Sequence, residues 1–427
     1  MKMNKWVSGA ACMAILLSGC GQNSANDGKE TNTETKSLLP VTLKIYNDLA
    51  YISERDFKEM IAEPVKKKYP HLTVEQVATR NDLDKLIAAG EAVDFFVTWN
   101  GQMAFYKDLG FFEDITPLAK KNNFDLEKFD PGALDAIRTV SENGKELYAL
   151  PYAVQLNALY YNKTIFDRFG ATYPKDGMTW TDAIELAKKV SRKEGDVQYY
   201  GLDTDDYVRF TFPLSLGAVD AKTNKALVNS EPYKRAFDMA KQLYSSTGVK
   251  YQNKGIERFT KDQTVAMIAT INLFQQLKQS SGLDWDVAQF PSYPDKPNVY
   301  GMYDLHILIP NRNSKNQDDM MRTMEVLFSD EVQTNMVRKT GRVSTLKDVK
   351  YKQQFGKDIP ELQGKRIESI FKSTPAPAPE YSRYYPKAAE ILRWNYVDYM
   401  NGVKDVNTAL RDAEEAINKQ IDGQQGK

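Results

Sequence analysis

Between residues 41 and 97 the hydrophobic period switches back and forth between two and about 3.6, and few folds accommodate that pattern. Val41-Thr-Leu-Lys-Ile-Tyr46 alternates apolar and polar residues as a half-buried strand does, and the stretch from Glu54 to Lys68 follows with a helical period. A strand around Leu72 to Val77 and a short helix around Leu83 to Ala89 come next. Val93-Asp-Phe-Phe-Val97 is then a compact apolar run suited to a strand covered on both faces. Strand alternating with helix predicts an α/β fold with a mostly parallel sheet flanked by helices. Ligands of such sheets lie beyond the carboxyl ends of the strands. The residues to watch are therefore Asn47, Asp48 and Tyr51 after the first strand, and Thr98, Trp99, Asn100 and Gln102 after the third.

The chain opens with Lys2 and Lys5, an apolar run from Trp6 to Leu17, and the tetrapeptide Leu17-Ser-Gly-Cys20. The run is shorter than the ~20 residues a spanning helix needs, so it reads as an export signal. Its ending resembles the lipobox of bacterial lipoproteins, which implies cleavage before Cys20 and lipidation of that sulfur. Removing residues 1–19 takes Cys12 and two lysines with it, leaving 408 residues with 55 basic and 57 acidic side chains and one cysteine. No internal disulfide is then possible, and the near-neutral balance gives no reason to bind nucleic acid. Gly21 to Ser37 is almost devoid of apolar side chains, so residues 20–40 read as the lipidated cysteine and a flexible tether. A mature chain of this size exceeds what one core usually organises, so two domains are expected.

Further on, Leu147-Tyr-Ala-Leu-Pro151, Leu159-Tyr-Tyr-Asn162 and Thr179-Trp180 opening a helix follow in order. Phe259-Thr-Lys-Asp-Gln-Thr-Val-Ala-Met267, Trp285-Asp-Val-Ala-Gln-Phe-Pro291, Phe328-Ser-Asp-Glu-Val-Gln333 and an apolar-faced helix over Val406 to Ile421 come after them. Together these resemble family 1 extracellular solute-binding proteins of ABC transporters, the maltose-binding-protein-like group. The resemblance implies a two-lobed periplasmic-binding-protein fold of type II joined by hinge crossovers near Ala153, Ala288 and Thr340. An N-terminal lobe would then comprise 41–153 plus 288–340, and a C-terminal lobe 154–287 plus 341–427. It also implies a monomer that needs no cofactor or metal. Such a protein captures a small-molecule solute, here a carbohydrate, for the membrane subunits of an ABC importer. It would sit on the extracellular face of the cell membrane through the lipid on Cys20, in a Gram-positive envelope by preference or on the periplasmic face of a Gram-negative one. Pro375-Ala-Pro-Ala-Pro379 reads as an extended connector.

A sugar presents C–H patches and a ring of hydroxyls, so its receptor needs aromatic faces and bidentate polar groups. Trp99, Asn100 and Gln102 match the family's ligand-contacting loop, with a core tryptophan as the alternative for Trp99. Tyr46, Asn47 and Asp48 match the first cleft loop, with a strand-ending Asx turn as the alternative. Tyr152 and Gln155 face the cleft if the crossover lies where the resemblance puts it, while Tyr160 and Tyr161 pack in the sheet. Asp206, with Asp203 and Asp205, follows an apparent strand end and reads either as a hydroxyl-gripping carboxylate or as a solvated turn. Asn272 and Phe274 stand where the family places an aromatic platform, but Ile271-Asn-Leu-Phe274 lacks its Gly-Pro-Trp. Tyr303 and Asp304 replace the small residues usual at the second crossing. Arg342, and Arg383 with Tyr384, complete the candidates; arginine there would favour a uronide or form a structural ion pair.

Only two histidines occur, and no His-Glu-x-x-His, Cys-x-x-Cys, Gly-x-Ser-x-Gly or phosphate-binding Gly-rich motif appears. Metal hydrolysis and acyl transfer are poorly supported. A carrier of peptide, polyamine or ferric ion, and a glycosidase using two carboxylates, remain as alternatives.

Overall fold

The computed structural model describes residues 39–48, 51–78, 83–88, 93–248 and 250–425. The expected signal segment, Cys20 and nearly all of the tether lie outside the described residues. In chain order the strands are β1 Val41–Asn47, β2 Leu72–Ala78, β3 Phe95–Trp99, β4 Leu150–Val154, β5 Asn157–Asn162, β6 Arg192–Glu194 and β7 Val197–Tyr199. They continue as β8 Asp203–Thr204, β9 Met267–Ile271, β10 Trp285–Ala288, β11 Val299–Met302, β12 Leu305–Pro310, β13 Val343–Ser344 and β14 Thr374–Ala376.

Two sheets organise two lobes. The first has the order β13-β4-β12-β3-β1-β2 and the second β10-β5-β9-β8. Parallel pairing holds where strand, helix and strand succeed one another, in β2–β1–β3 and in β8–β9. The pairings β3–β12, β12–β4, β4–β13, β10–β5 and β5–β9 are antiparallel. Their cause is topological: β4, β12 and β13 border the passages between lobes, so they enter the first sheet without a helical crossover to set their direction.

The apolar run of β5 has a direct packing reason. Leu159 and Tyr161 belong to one core of the second lobe, whereas Ala158 and Tyr160 belong to another on the opposite face of the sheet. Met267 and Ile268 of β9 divide in the same way. A strand covered on both faces has no solvated side, so the polar alternation disappears. The helix Trp180–Val190 starts with a capping box in which Thr179 and Asp182 satisfy each other's backbone N–H groups. It buries Trp180, Ala183, Ile184, Ala187 and Val190 on one face. Truncating a ring such as Phe166, fully buried in that core, would cost about 3–5 kcal/mol.

The chain first passes between lobes at Gln155 and Leu156, in the short link from β4 to β5. It returns at Tyr303 and Asp304, between β11 and β12, rather than near Ala288. The shift has a packing cause: Phe290, Tyr293, Tyr300 and Met302 all bury in the second lobe's core, which holds the chain there after β10 ends. The last passage follows β13 instead of preceding it at Thr340, because Val343 and Ser344 still pair with β4. Tyr351 packs in the first core and Phe355 in the second lobe, so the chain changes lobes along the helix Val349–Gln354. The proline run is extended, with β14 pairing parallel to β11.

Candidate functional site

The region around the crossings is built from backbone outward. Gln155 donates its backbone N–H to the carbonyl of Asp304 at 2.9 Å, which ties the first two crossings together. Asn100, just beyond β3, donates Nδ2–H to the carbonyl of Tyr303 and accepts the N–H of Leu305 on Oδ1, both at 3.0 Å. Both ends of its amide are engaged in holding the second crossing.

Other first-lobe candidates are similarly committed. Tyr46 buries its ring against Phe96. Asn47 donates to the Ile52 carbonyl and to Gln76 Oε1, both at 2.7 Å, and accepts the Ile52 N–H, closing the loop after β1. Asp48 accepts from Thr98 Oγ1 at 3.1 Å and from the Tyr106 hydroxyl, binding β1 to β3. The expectation that Tyr46 and Asn47 line a ligand site is therefore corrected: both are 1 % exposed and spent on structure.

Trp99 behaves differently. It leaves the first sheet half-buried and packs on the second lobe's core, edge to face with Tyr381 at 5.5 Å and with Tyr385 at 5.8 Å. Its indole lies over Gly101, where a Cβ would fall 2.0 Å from the ring, so only glycine leaves room. Tyr381 and Tyr385, themselves 4.8 Å apart, were not singled out by sequence because a helix start intervenes between them. The exposed pair Arg383–Asp108, at 2.8 Å, adds a second link between lobes beside these rings, and Arg383 also lies over the ring of the partly exposed Tyr384. A groove of about 540 Å³ runs there between Lys107, Asp108 and Glu142 on one side and Lys222, Asn224 and Tyr384 on the other. Gln102 is half-buried at the start of the helix Met103–Asp108.

The second lobe contributes the ionic groups. Arg209, buried, donates Nε–H and one Nη–H to the two oxygens of Asp205 at 2.7 and 3.0 Å, and another Nη–H to Asn157 Oδ1 at 2.9 Å. Asp206 accepts two N–H groups of Arg393 at 3.0 and 2.8 Å; burial nevertheless leaves its carboxyl above the ordinary range. Asp304 accepts no side-chain hydrogen bond from the described residues, and burial pushes its carboxyl up to about 6, opposed only by the field of Arg209. Asp203 lies apart within β8, where it accepts from Tyr244 at 2.7 Å and pairs with Arg258. Asp205 also lines a polar cavity of about 660 Å³ with Lys254, Glu257, Gln276 and Gln279.

On the remaining side, Arg342 donates to His306 Nδ1 at 3.0 Å and to the Tyr51 carbonyl at 2.9 Å, with Asp56 at 3.7 Å. Burial and the arginine lower the His306 pKa to about 3, so the ring is neutral and accepts on Nδ1. Tyr152 lies tilted against that ring at 5.8 Å, with its hydroxyl buried and unpartnered among the described residues. Asn272 donates to the Gly341 carbonyl at 2.7 Å, joining the lobes at this end. Phe274 is corrected from platform to core: it is 1 % exposed and packs on Tyr160 and under Gly341, where a Cβ would approach it to 2.9 Å. Tyr303 donates to Asp130 at 3.0 Å and faces a second cavity of about 300 Å³ lined by Tyr300, Val343 and Pro375.

The structure therefore gathers Trp99, Asp205, Asp206, Asp304 and Gln155 with the unforeseen Arg209, Tyr381, Tyr385 and Arg393. Rings for stacking and carboxylates for hydroxyl groups meet where the chain crosses between lobes. Among the described residues no group of three or more His, Cys, Asp or Glu side chains could hold a metal ion. No helix among them is long and apolar enough to cross a membrane.

Residues 61–362 match the family model described as bacterial extracellular solute-binding protein. An uncharacterized ABC transporter extracellular-binding protein of Pyrococcus horikoshii is 26% identical over 323 residues, 70% of this chain and 69% of that one. The melibiose/raffinose/stachyose-binding protein of Bacillus subtilis is 26% identical over 305 residues, 67% of this chain and 63% of that one. Among solved structures, an ABC substrate-binding protein of Listeria monocytogenes in complex with cycloalternan superposes with a TM-score of 0.73 at 18% identity, covering 90% of this chain and 99% of that chain. The sugar-binding protein MalE of Xanthomonas citri gives 0.71 at 16% identity, with 90% and 98% covered. These two likenesses establish the two-lobed fold.

Proposed function

The chain belongs to the bacterial extracellular solute-binding proteins, and from that premise we propose that it captures a sugar or oligosaccharide between its lobes and delivers it to an ABC importer. Lipid on Cys20 would hold it at the outer face of the cell membrane. The observation that carries the sugar reading is the meeting of Trp99 with Tyr381 and Tyr385, from opposite lobes, beside the carboxylates of Asp206 and Asp304. Aromatic faces stack on sugar C–H patches, and carboxylates accept hydrogen bonds from paired hydroxyls. The name of the Bacillus subtilis relative points to the same ligand class.

The reading is of capture, not of bond cleavage. Asp205 and Asp206 are each neutralised by an arginine, which suits a receptor better than the paired acid and nucleophile of a glycosidase. Binding acts by population shift: a ligand held by both lobes favours their closed arrangement by its differential affinity.

Thermal unfolding against a glycan panel that includes raffinose, stachyose and maltotriose tests the reading. A true ligand raises Tm with the logarithm of its excess over Kd. No shift with any neutral, amino or acidic sugar would refute a sugar receptor. Anchoring is tested separately, since Cys20→Ser should release the chain from the membrane fraction.

A further inference from the structure

The arginines around the crossings are all occupied, and this bears on which sugars can enter. Arg209 spends three N–H groups on Asp205 and Asn157, and Arg393 lies on Asp206. Arg342 is taken by His306, the Tyr51 carbonyl and Asp56, and Arg383 by Asp108. Each of these cations is already paired with a carboxylate, and Arg209 has an N–H of every guanidinium nitrogen engaged.

Asp304 is the exception in this neighbourhood. It stands in the second crossing, its carbonyl fixed by Gln155, and its carboxylate accepts no hydrogen bond from the described residues. Its charge is felt by Arg209 and by Tyr381 and Tyr385, the rings against which Trp99 packs. An acceptor without a donor thus lies next to the stacking faces.

Resting on the sugar reading above, we infer that Asp304 is the specificity-determining residue of the site: its open carboxylate takes two hydroxyl donors of a neutral sugar and turns away uronates. A uronate placed there would bring a further negative group beside Asp304, where the charges of Arg209 and Arg393 are already matched by Asp205 and Asp206. At a separation of about 5 Å and an effective dielectric constant of about 20, that repulsion alone weakens binding by about 100-fold. Asp304→Asn keeps the size of the side chain, replaces one acceptor with a donor and removes the charge. It should weaken neutral sugars and relieve the rejection of acidic ones.

The test takes each neutral oligosaccharide that raises Tm, oxidises its primary alcohol to the uronate, and measures both by calorimetry at pH 7.5. The unaltered protein should prefer the neutral form by at least about 100-fold, and Asp304→Asn should narrow that ratio at least tenfold. Equal binding of the two forms by the unaltered protein overturns the inference whether or not the variant folds. A ratio unchanged in a folded Asp304→Asn protein overturns it as well. Binding of neither form would instead fail the sugar reading and this assignment together.

Discussion

Asn100 and Asp304 meet at the same crossing and present similar polar side chains, yet they do opposite things. Asn100, from the first lobe, has its amide filled by the backbone of residues 303 and 305. Asp304, at the crossing itself, accepts no hydrogen bond on its carboxylate from the described residues. The contrast extends to the lobes: Asn47, Asp48 and Asn100 of the first lobe are consumed in fixing loops, whereas the ionic chemistry of the second lobe clusters around Arg209 and Arg393. A polar residue after a strand thus serves structure when its loop must close tightly. It serves a ligand only where its partners are left open.

The sharpest way to break this comparison is Arg209→Met. It strands the half-buried Asp205 carboxylate and the buried Asn157 Oδ1, and the expected loss is about 3–5 kcal/mol in urea unfolding. A loss below 1 kcal/mol would mean that this network is not what organises the second lobe. Asp304→Asn should move stability the other way. The folded chain holds the Asp304 proton more tightly than the unfolded chain, with a pKa raised from 3.8 to about 6. The associated stability is full below pH 3.8 and is lost as pH rises through about 6. The variant should therefore gain about 1–3 kcal/mol over the unaltered protein at pH 7.5 and little at pH 4. An equal gain at both pH values would show that charge is not the cause.

Asn47→Ala sharpens the first-lobe side of the contrast. Loss of three hydrogen bonds, two of them buried, should cost about 1–3 kcal/mol while calorimetric affinity for the sugar changes less than about threefold. A large affinity loss with little destabilisation would return Asn47 to the binding site. The smallest effect belongs to Arg383→Ala, since the pair with Asp108 is exposed. We expect less than about 1 kcal/mol, vanishing in high salt.

Much of the fold was legible because it rests on period and on caps. The strands at Val41 and Leu72, the capped helix from Trp180 and the closing helix Val406–Gln425 all follow from local pattern. The second crossing was misplaced because Trp285–Ala288 is followed by Phe290, Tyr293 and Tyr300, whose burial in the second core is a tertiary choice that no short window displays. The candidate site was legible only by position. Strand ends pointed to Trp99 and Asp206, but the direction of a side chain past a strand end depends on distant partners. Asp206 meets Arg393, 187 positions away, and Trp99 meets Tyr381. Asn47 looked like a site residue for the same reason that it proved structural: loops after parallel strands need an amide to close them.

A crystal structure of the complex with the sugar that most raises Tm tests the central claim most directly. The account predicts a sugar ring against Trp99 and the Tyr381–Tyr385 pair, with two hydroxyls on the Asp304 carboxylate. Density for the sugar at any other place, with Asp304 left bare, would contradict it.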